Sequence, residues 1–273
     1  MRENNRRFIE AALWFFCLIF CIPILMVVVQ SFKSFQEVLL SPASWPSSFS
    51  LANYEEVWVK TNFPLVFGNT LFIAGISIAG ILLFCSMAGY RLSRTRTRLS
   101  AAVLALIVLA LMIPFEVIMV PLVKIASMLH IYNSLSAVVL INIGFSCPLA
   151  VLLYHGFTNS IPVEIEEAAI IDGCSQLGMY FRVILPLLLP VSATVGVLYF
   201  LNYWNDLTLP LIMLADKAKA TITLSQLQFF NELVSSRWNL LLTAGVMAFL
   251  PVIIIYLFCQ KYIINGLTSG AVK

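Results

Sequence analysis

Charge is scarce in this chain of 273 residues: 11% are Asp, Glu, Lys or Arg and 61% are hydrophobic, whereas soluble domains carry about a quarter charged residues. The apolar residues also fall in long uncharged blocks instead of one-sided helical stripes, which excludes an ordinary soluble fold. No Gly-Lys pair occurs anywhere, so the Gly-rich phosphate loop that would let the chain hydrolyse ATP is missing. Histidine is limited to His130 and His155, too far apart for a helical metal pair, and no acid-cysteine cluster supports zinc. The six cysteines, Cys17, Cys21, Cys85, Cys147, Cys174 and Cys259, include no Cys-x-x-Cys, so no disulfide is expected. Gly75-Ile76-Ser77-Ile78-Ala79 falls short of a nucleophile elbow and suits close helix packing. No basic stripe with interleaved aromatics points to nucleic acid. Neither catalysis nor a bound cofactor or metal is expected on this chain.

What the sequence does contain is six apolar blocks, at about residues 9–30, 66–90, 99–122, 135–156, 187–211 and 240–260. Each is near or above the ~20 residues that cross a ~30 Å hydrocarbon core. The expected fold is an all-α integral membrane protein, a single transmembrane domain over 1–273. The first block follows Arg2, Arg6 and Arg7 as a signal peptide would. Its 19 apolar residues from Ala11 to Val29 exceed a usual apolar core, and Gln30-Ser31-Phe32-Lys33 is no cleavage site, so it is expected to remain as a span.

Six spans put both termini on one side. Arg2, Arg6, Arg7, Arg91, Arg94, Arg96, Arg98, Arg182, Lys261 and Lys273 lie on that side, against Lys33, Lys60, Lys124, Lys217, Lys219 and Arg237 on the other. Cationic loops stay inside, so both termini are expected to be cytoplasmic.

Between the fourth and fifth blocks, residues 157–185 have an internal order. Ser160 can cap a helix with Pro162 in its first turn, Glu164, Glu166 and Glu167 suit its positive end, and Gly173 can stop it. About twelve helical residues are expected, with Ile161, Ile165 and Ala169 on one face and Ala168 and Asp172 beside them. Such a short helix needs something to dock on. From the residues alone, a docking element and a plain surface hairpin both remain open.

The run Glu167-Ala168-Ala169, Asp172-Gly173 and Val183-Ile184-Leu185-Pro186 resembles the signature loop of binding-protein-dependent ABC importer permeases, with Val183 where Ile is usual and Cys174 where Ala is common. The resemblance implies a coupling helix seated in a cleft of a separate ATPase, with Glu164, Glu167, Ala168, Ala169, Asp172, Gly173, Val183 and Pro186 as its coupling residues. It also implies ATP and Mg held by those ATPases. Gly89-Tyr90-Arg91-Leu92-Ser93-Arg94, Ile113-Pro114-Phe115-Glu116, Ile161-Pro162-Val163-Glu164, Trp204-Asn205-Asp206 and Gly266 to Lys273 are similar to the second permease subunit of maltose-type carbohydrate importers. That similarity implies a bacterial inner-membrane, multi-pass subunit. Its partners would be a second homologous permease, two cytoplasmic ATPase subunits, an external solute-binding protein, a carbohydrate substrate and membrane lipid. In the maltose transporter the tail equivalent to Gly270, Ala271, Val272 and Lys273 runs between the ATPases.

Asn202, Tyr203, Trp204, Asn205 and Asp206 form a polar and aromatic island in an apolar block. Such groups are costly facing lipid, so the island is read either as lining a wet path or as packing on a partner permease. Pro210 cannot bond the carbonyl of Asp206, so a kink or stop is expected there. Glu116 and Lys124 read as solvated helix-end charges, and 222–233 as an amphipathic segment of an outer loop that, by the resemblance, faces the binding protein. An ion-coupled carrier is the rival reading. It should show intramembrane acids or inverted repeats with broken helices in both halves, and the sequence displays one such break. An importer permease for a non-sugar solute is the other alternative.

Overall fold

The computed structural model describes residues 2–230 and 237–271, with side chains described for 7–230, 237–257 and 260. Among the described residues every regular element is helical: α1 (Arg2–Gln30), α2 (Phe35–Leu40), α3 (Ala52–Thr61), α4 (Phe63–Gly80), α5 (Ser86–Arg94), α6 (Arg98–Ala110), α7 (Phe115–Met128), α8 (Leu135–Thr158), α9 (Glu164–Ile171), α10 (Gln176–Met179), α11 (Leu185–Leu187), α12 (Leu189–Asn205), α13 (Thr208–Met213), α14 (Ile222–Phe230) and α15 (Trp238–Ala271). Two π-helical turns, Ile81–Cys85 and Tyr180–Ile184, join α4 to α5 and α10 to α11. Of the tail residues singled out above, Gly270 and Ala271 close α15, while Val272 and Lys273 lie outside the described residues.

Among the described residues four stretches, Arg7–Gln30, Phe63–Arg94, Leu135–Thr158 and Trp238–Leu257, are long and apolar enough to cross a membrane. Two more candidates are bent pairs: α6 with α7 at 101°, and Gln176–Leu187 with α12 at 72°. The block at 99–122 is therefore no continuous helix. Pro114 has no amide to donate and disfavours helical backbone at Ile113. It stands extended, at φ −64 and ψ 141, at the head of α7. At ~1.5 Å per residue, α6 alone covers only ~20 Å.

The chain forms two compact units, one of the residues up to Leu65 together with Ser225–Ile253, the other of Val66–Leu224 with Ile254 onward. In the first, Lys33 is fully buried. Its ammonium donates to the carbonyls of Ser41 (2.8 Å) and Pro42 (3.3 Å) and to the Ser44 hydroxyl (3.3 Å). It thus pins the loop after α2 to the turn after α1 and is no exposed loop cation. Ser34 and Glu37 form a reciprocal cap at the start of α2, and hydrogen bonds from Ser47 and Ser34 hold Glu37 at a pKa of about 2. Lys60 and Arg237 both pair with Glu56 and keep its carboxyl below the ordinary range, Lys60 foremost.

In the second unit α5 lies directly on α8. Gly89 permits this, because a Cβ there would stand 2.5 Å from Tyr154 Cβ and 2.9 Å from the His155 nitrogen and the Val151 oxygen. Around this crossing Ile81, Cys85, Val151, Tyr154, Ile184 and Leu188 are fully or almost fully buried. The hydroxyls of Ser86 and Tyr180 meet at 2.6 Å, tying the start of α5 to the second π turn.

Candidate coupling surface and polar cleft

The loop after α8 is shorter in helix than its sequence suggests. Ser160 does not cap α9. Its hydroxyl donates back to the Phe157 carbonyl at 2.7 Å. Pro162 and Val163 lead into the helix, accepting at their carbonyls from Ile165 and from Glu166 and Glu167, and α9 runs for eight residues instead of twelve. Its other end stops as the glycine requires. Gly173 has φ +82, its amide donates to Ile170 and the Cys174 amide to Ala169, both at 3.0 Å. These two bonds are a Schellman motif.

A β-branched side chain in that left-handed conformation costs about 1–2 kcal/mol. Gly173→Val is accordingly expected to raise amide hydrogen exchange across 164–174 by roughly five- to thirty-fold. Gly173→Asn should give a smaller rise, because Asn tolerates this region. Equal exchange in all three proteins would dismiss the strain argument.

The helix has two unlike faces. Ile161, Glu166 and Ala169 are 8%, 7% and 7% exposed, whereas Glu164, Glu167, Ala168 and Asp172 are exposed alongside Ile170 and Ile171. The stripe expected through Ile161, Ile165 and Ala169 is broken in the middle, because Ile165 is exposed and Glu166 holds the inward position. The cause is a polar anchor on α5. Arg94 Nε donates to Glu166 Oε1 at 2.6 Å and the Tyr90 hydroxyl to Oε2 at 2.9 Å. Arg94 Nη2 donates to the Ile161 carbonyl at 2.8 Å, and the Ser93 hydroxyl to Asn159 Oδ1 at 2.7 Å. Val183 packs against the core that contains Ala169, and Pro186 is exposed in α11.

In the sequence Glu166 is one of three acids at a helix start and Arg94 one of several loop cations, with nothing to single out either by type. A signal was present: residues i and i+3 share a helix face, so a buried Ala169 turns Glu166 inward with it.

The second candidate is a cleft of about 690 Å³ whose lining includes Asn202, Tyr203 and Asp206 with Asn142, Phe145 and Ser146. The Tyr203 hydroxyl contacts that of Ser146 and donates to the Asn142 carbonyl at 3.2 Å. Trp204 and Asn205 are not part of the lining. Trp204 is 1% exposed, its ring against Phe67 and Phe200, and the Asn205 amide donates to the Leu201 carbonyl at 2.8 Å.

The helix break comes before Pro210. Asp206 is extended at φ −68 and ψ 123, and its Oδ1 accepts from the amides of Thr208 (2.9 Å) and Leu209 (3.4 Å), starting α13. Its carbonyl, which Pro210 cannot bond, accepts from the Thr223 hydroxyl at 2.7 Å. Glu116 and Lys124 are both exposed. Among the described residues no three His, Cys, Asp or Glu side chains gather as a metal site.

The model of the family described as binding-protein-dependent transport system inner membrane component matches residues 80–269, a segment that includes α9 and the cleft residues Asn202, Tyr203 and Asp206. The chain belongs to that family. It is a multi-pass inner-membrane permease, a transport subunit and not itself an enzyme. This permease is similar to the probable starch degradation products transport system permease protein AmyC of Thermoanaerobacterium thermosulfurigenes, 36% identical over 251 residues, covering 92% of this chain and 91% of that protein. It is 37% identical over 230 residues to the melibiose/raffinose/stachyose import permease protein MelC of Bacillus subtilis, covering 84% and 83%. Its fold matches a chain in the crystal structure of a bacterial ABC transporter involved in the import of the acidic polysaccharide alginate. There the TM-score is 0.82 at 24% identity, over 96% of this chain and 98% of that one. Bent helix pairs occur in both halves of the permease, so broken helices do not separate it from an ion-coupled carrier. Family membership does.

Proposed function

We propose that this chain forms half of the translocation path of an ATP-driven importer for a sugar or oligosaccharide, as one transmembrane domain of six spans with both termini in the cytoplasm. A second permease, two ATPase subunits holding ATP and Mg, and an external solute-binding protein complete the assembly. The observation that carries this reading is the exposed face of α9, with Glu164, Glu167, Ala168, Ile170 and Ile171 outward. It sits on a helix held rigidly by Gly173 and Glu166, within a chain whose relatives include the carbohydrate permeases AmyC and MelC. In this reading Asn202, Tyr203 and Asp206 line the path, and Trp204 and Asn205 support it.

The test is to purify the chain with its native partners and measure ATP hydrolysis against a panel of sugars with the purified binding protein. Hydrolysis stimulated by a sugar only when the binding protein is present is expected. Failure to co-purify with an ATPase, or solute uptake driven by an ion gradient without ATP, would overturn the reading.

Topology is checked independently. On a cysteine-free background, Arg96→Cys should react with a membrane-impermeant maleimide only from the cytoplasmic side and Lys217→Cys only from outside. The reverse pattern would exclude cytoplasmic termini.

A further inference from the structure

Helix α5 is tied at both ends to the loop that contains α9. At its start the Ser86 hydroxyl meets that of Tyr180 at 2.6 Å. At its end Tyr90 and Arg94 converge on Glu166 and the Ile161 carbonyl through three bonds of 2.6–2.9 Å. The Arg94 and Glu166 side chains are 14% and 9% exposed, so solvent offers neither charge an adequate replacement partner if they separate. A helix of eight residues has little stability of its own, and the loop around it joins covalently only to α8 and to the turn before α11. Beyond its packing on α10 and the second π turn, the side-chain ties to α5 are its hydrogen-bonded lateral attachment.

We infer that Arg94 and Glu166 are positioning residues that lock α9 to α5, so that displacement of α9 moves the Phe63–Arg94 span as one body with it. The inference rests on the proposed docking of α9 to an ATPase and adds a route: movement enters the membrane through the span ending at Arg94 as well as through the chain-connected α8 and α12. Glu166 and Glu167, adjacent in sequence, divide the work. One faces inward and holds the joint, the other faces outward to the ATPase.

Two measurements on the assembled transporter test this. Spin labels at Arg91→Cys and Val163→Cys, both exposed positions and the second just ahead of α9 away from its docking residues, on a cysteine-free but otherwise intact background, report the α5 to α9 separation by pulsed electron resonance. A narrow distance distribution that is the same without nucleotide and with ATP trapped is expected. It should broaden when Glu166→Gln is added. In proteoliposomes, Glu166→Gln and Arg94→Gln should each keep ATPase association within two-fold of wild type but lower solute transported per ATP hydrolysed by at least ten-fold. The double variant should be no worse than either single, since both changes break one joint.

A label separation that changes with nucleotide state would overturn the inference without any appeal to variants that fail to fold. An unchanged transport-to-hydrolysis ratio in Glu166→Gln would overturn it too. Absence of ATPase association in the unsubstituted protein would instead overturn the proposed function on which it rests.

Discussion

Replacing Gly89 by leucine is expected to lower the level of this permease in the membrane at least ten-fold, whereas Gly75→Leu in the same span should leave it close to wild type. The difference follows from what each Cβ would meet. At Gly89 it would stand 2.5 Å from Tyr154 Cβ and 2.9 Å from two backbone atoms of α8, while at Gly75 nothing lies within 4 Å. Backbone cannot rotate out of the way as a side-chain tip can, so α5 and α8 would have to part. Overpacking of this kind typically costs about 1–3 kcal/mol, a large share of the ~5–15 kcal/mol that holds a folded domain together. Parting these helices would also loosen the core around Tyr154, Ile81 and Ile184. Gly89→Ala should be intermediate. Quantitative immunoblotting of washed membranes, with protease resistance in mild detergent, measures both. Equal accumulation of Gly75→Leu and Gly89→Leu would mean that the close approach of α5 to α8 is dispensable.

The second large effect separates neighbouring residues of α9. Ala168→Arg and Glu167→Ala should leave the membrane level nearly normal, because both positions are exposed and Ala and Arg are good helix formers. Both should weaken ATPase association and uptake together. For Glu167→Ala the loss of a charge-assisted contact is worth ~1.5–3 kcal/mol, or roughly ten- to a hundred-fold in affinity. Ala168→Arg places a long cation on the same face and should be at least as damaging. Ala169→Arg is the contrast. Ala169 is buried in the core that includes Met179 and Tyr180, so an arginine there should deplete the protein itself. Membrane level, ATPase co-purification and uptake are measured in the same cells. If Glu167→Ala and Ala168→Arg both preserve association and uptake, α9 does not couple transport to ATP hydrolysis.

Much of this architecture is legible in the residue order because its causes are local. Uncharged blocks of twenty residues mark membrane spans wherever they stand, and four of the six blocks are long continuous helices. Gly173 ends α9 because a residue without Cβ accepts φ +82. Pro114 breaks the third block through its own missing amide and its effect on Ile113. That break is legible in the sequence, because a proline inside an apolar block interrupts the helix whatever the block's length. The Glu-Ala-Ala run identified the family through residues that lie side by side.

What the sequence alone could not decide is every feature whose partner is distant along the chain. Glu166 and Arg94 are 72 residues apart, so although the spacing aligns both Ile165 and Glu166 with Ala169, which of the two turns inward depends on where α5 lies. Asp206 ends α12 ahead of Pro210, its own carboxylate accepts from the first two amides of α13, and its freed carbonyl is met by Thr223, 17 residues on. Tyr203 and Ser146 share a cleft across 57 residues, while Trp204, beside Tyr203 in sequence, packs away from it on Phe67 and Phe200. Neighbours on a helix differ by about 100° in direction. Only the packing of the surrounding helices fixes which of them meets the site and which supports it.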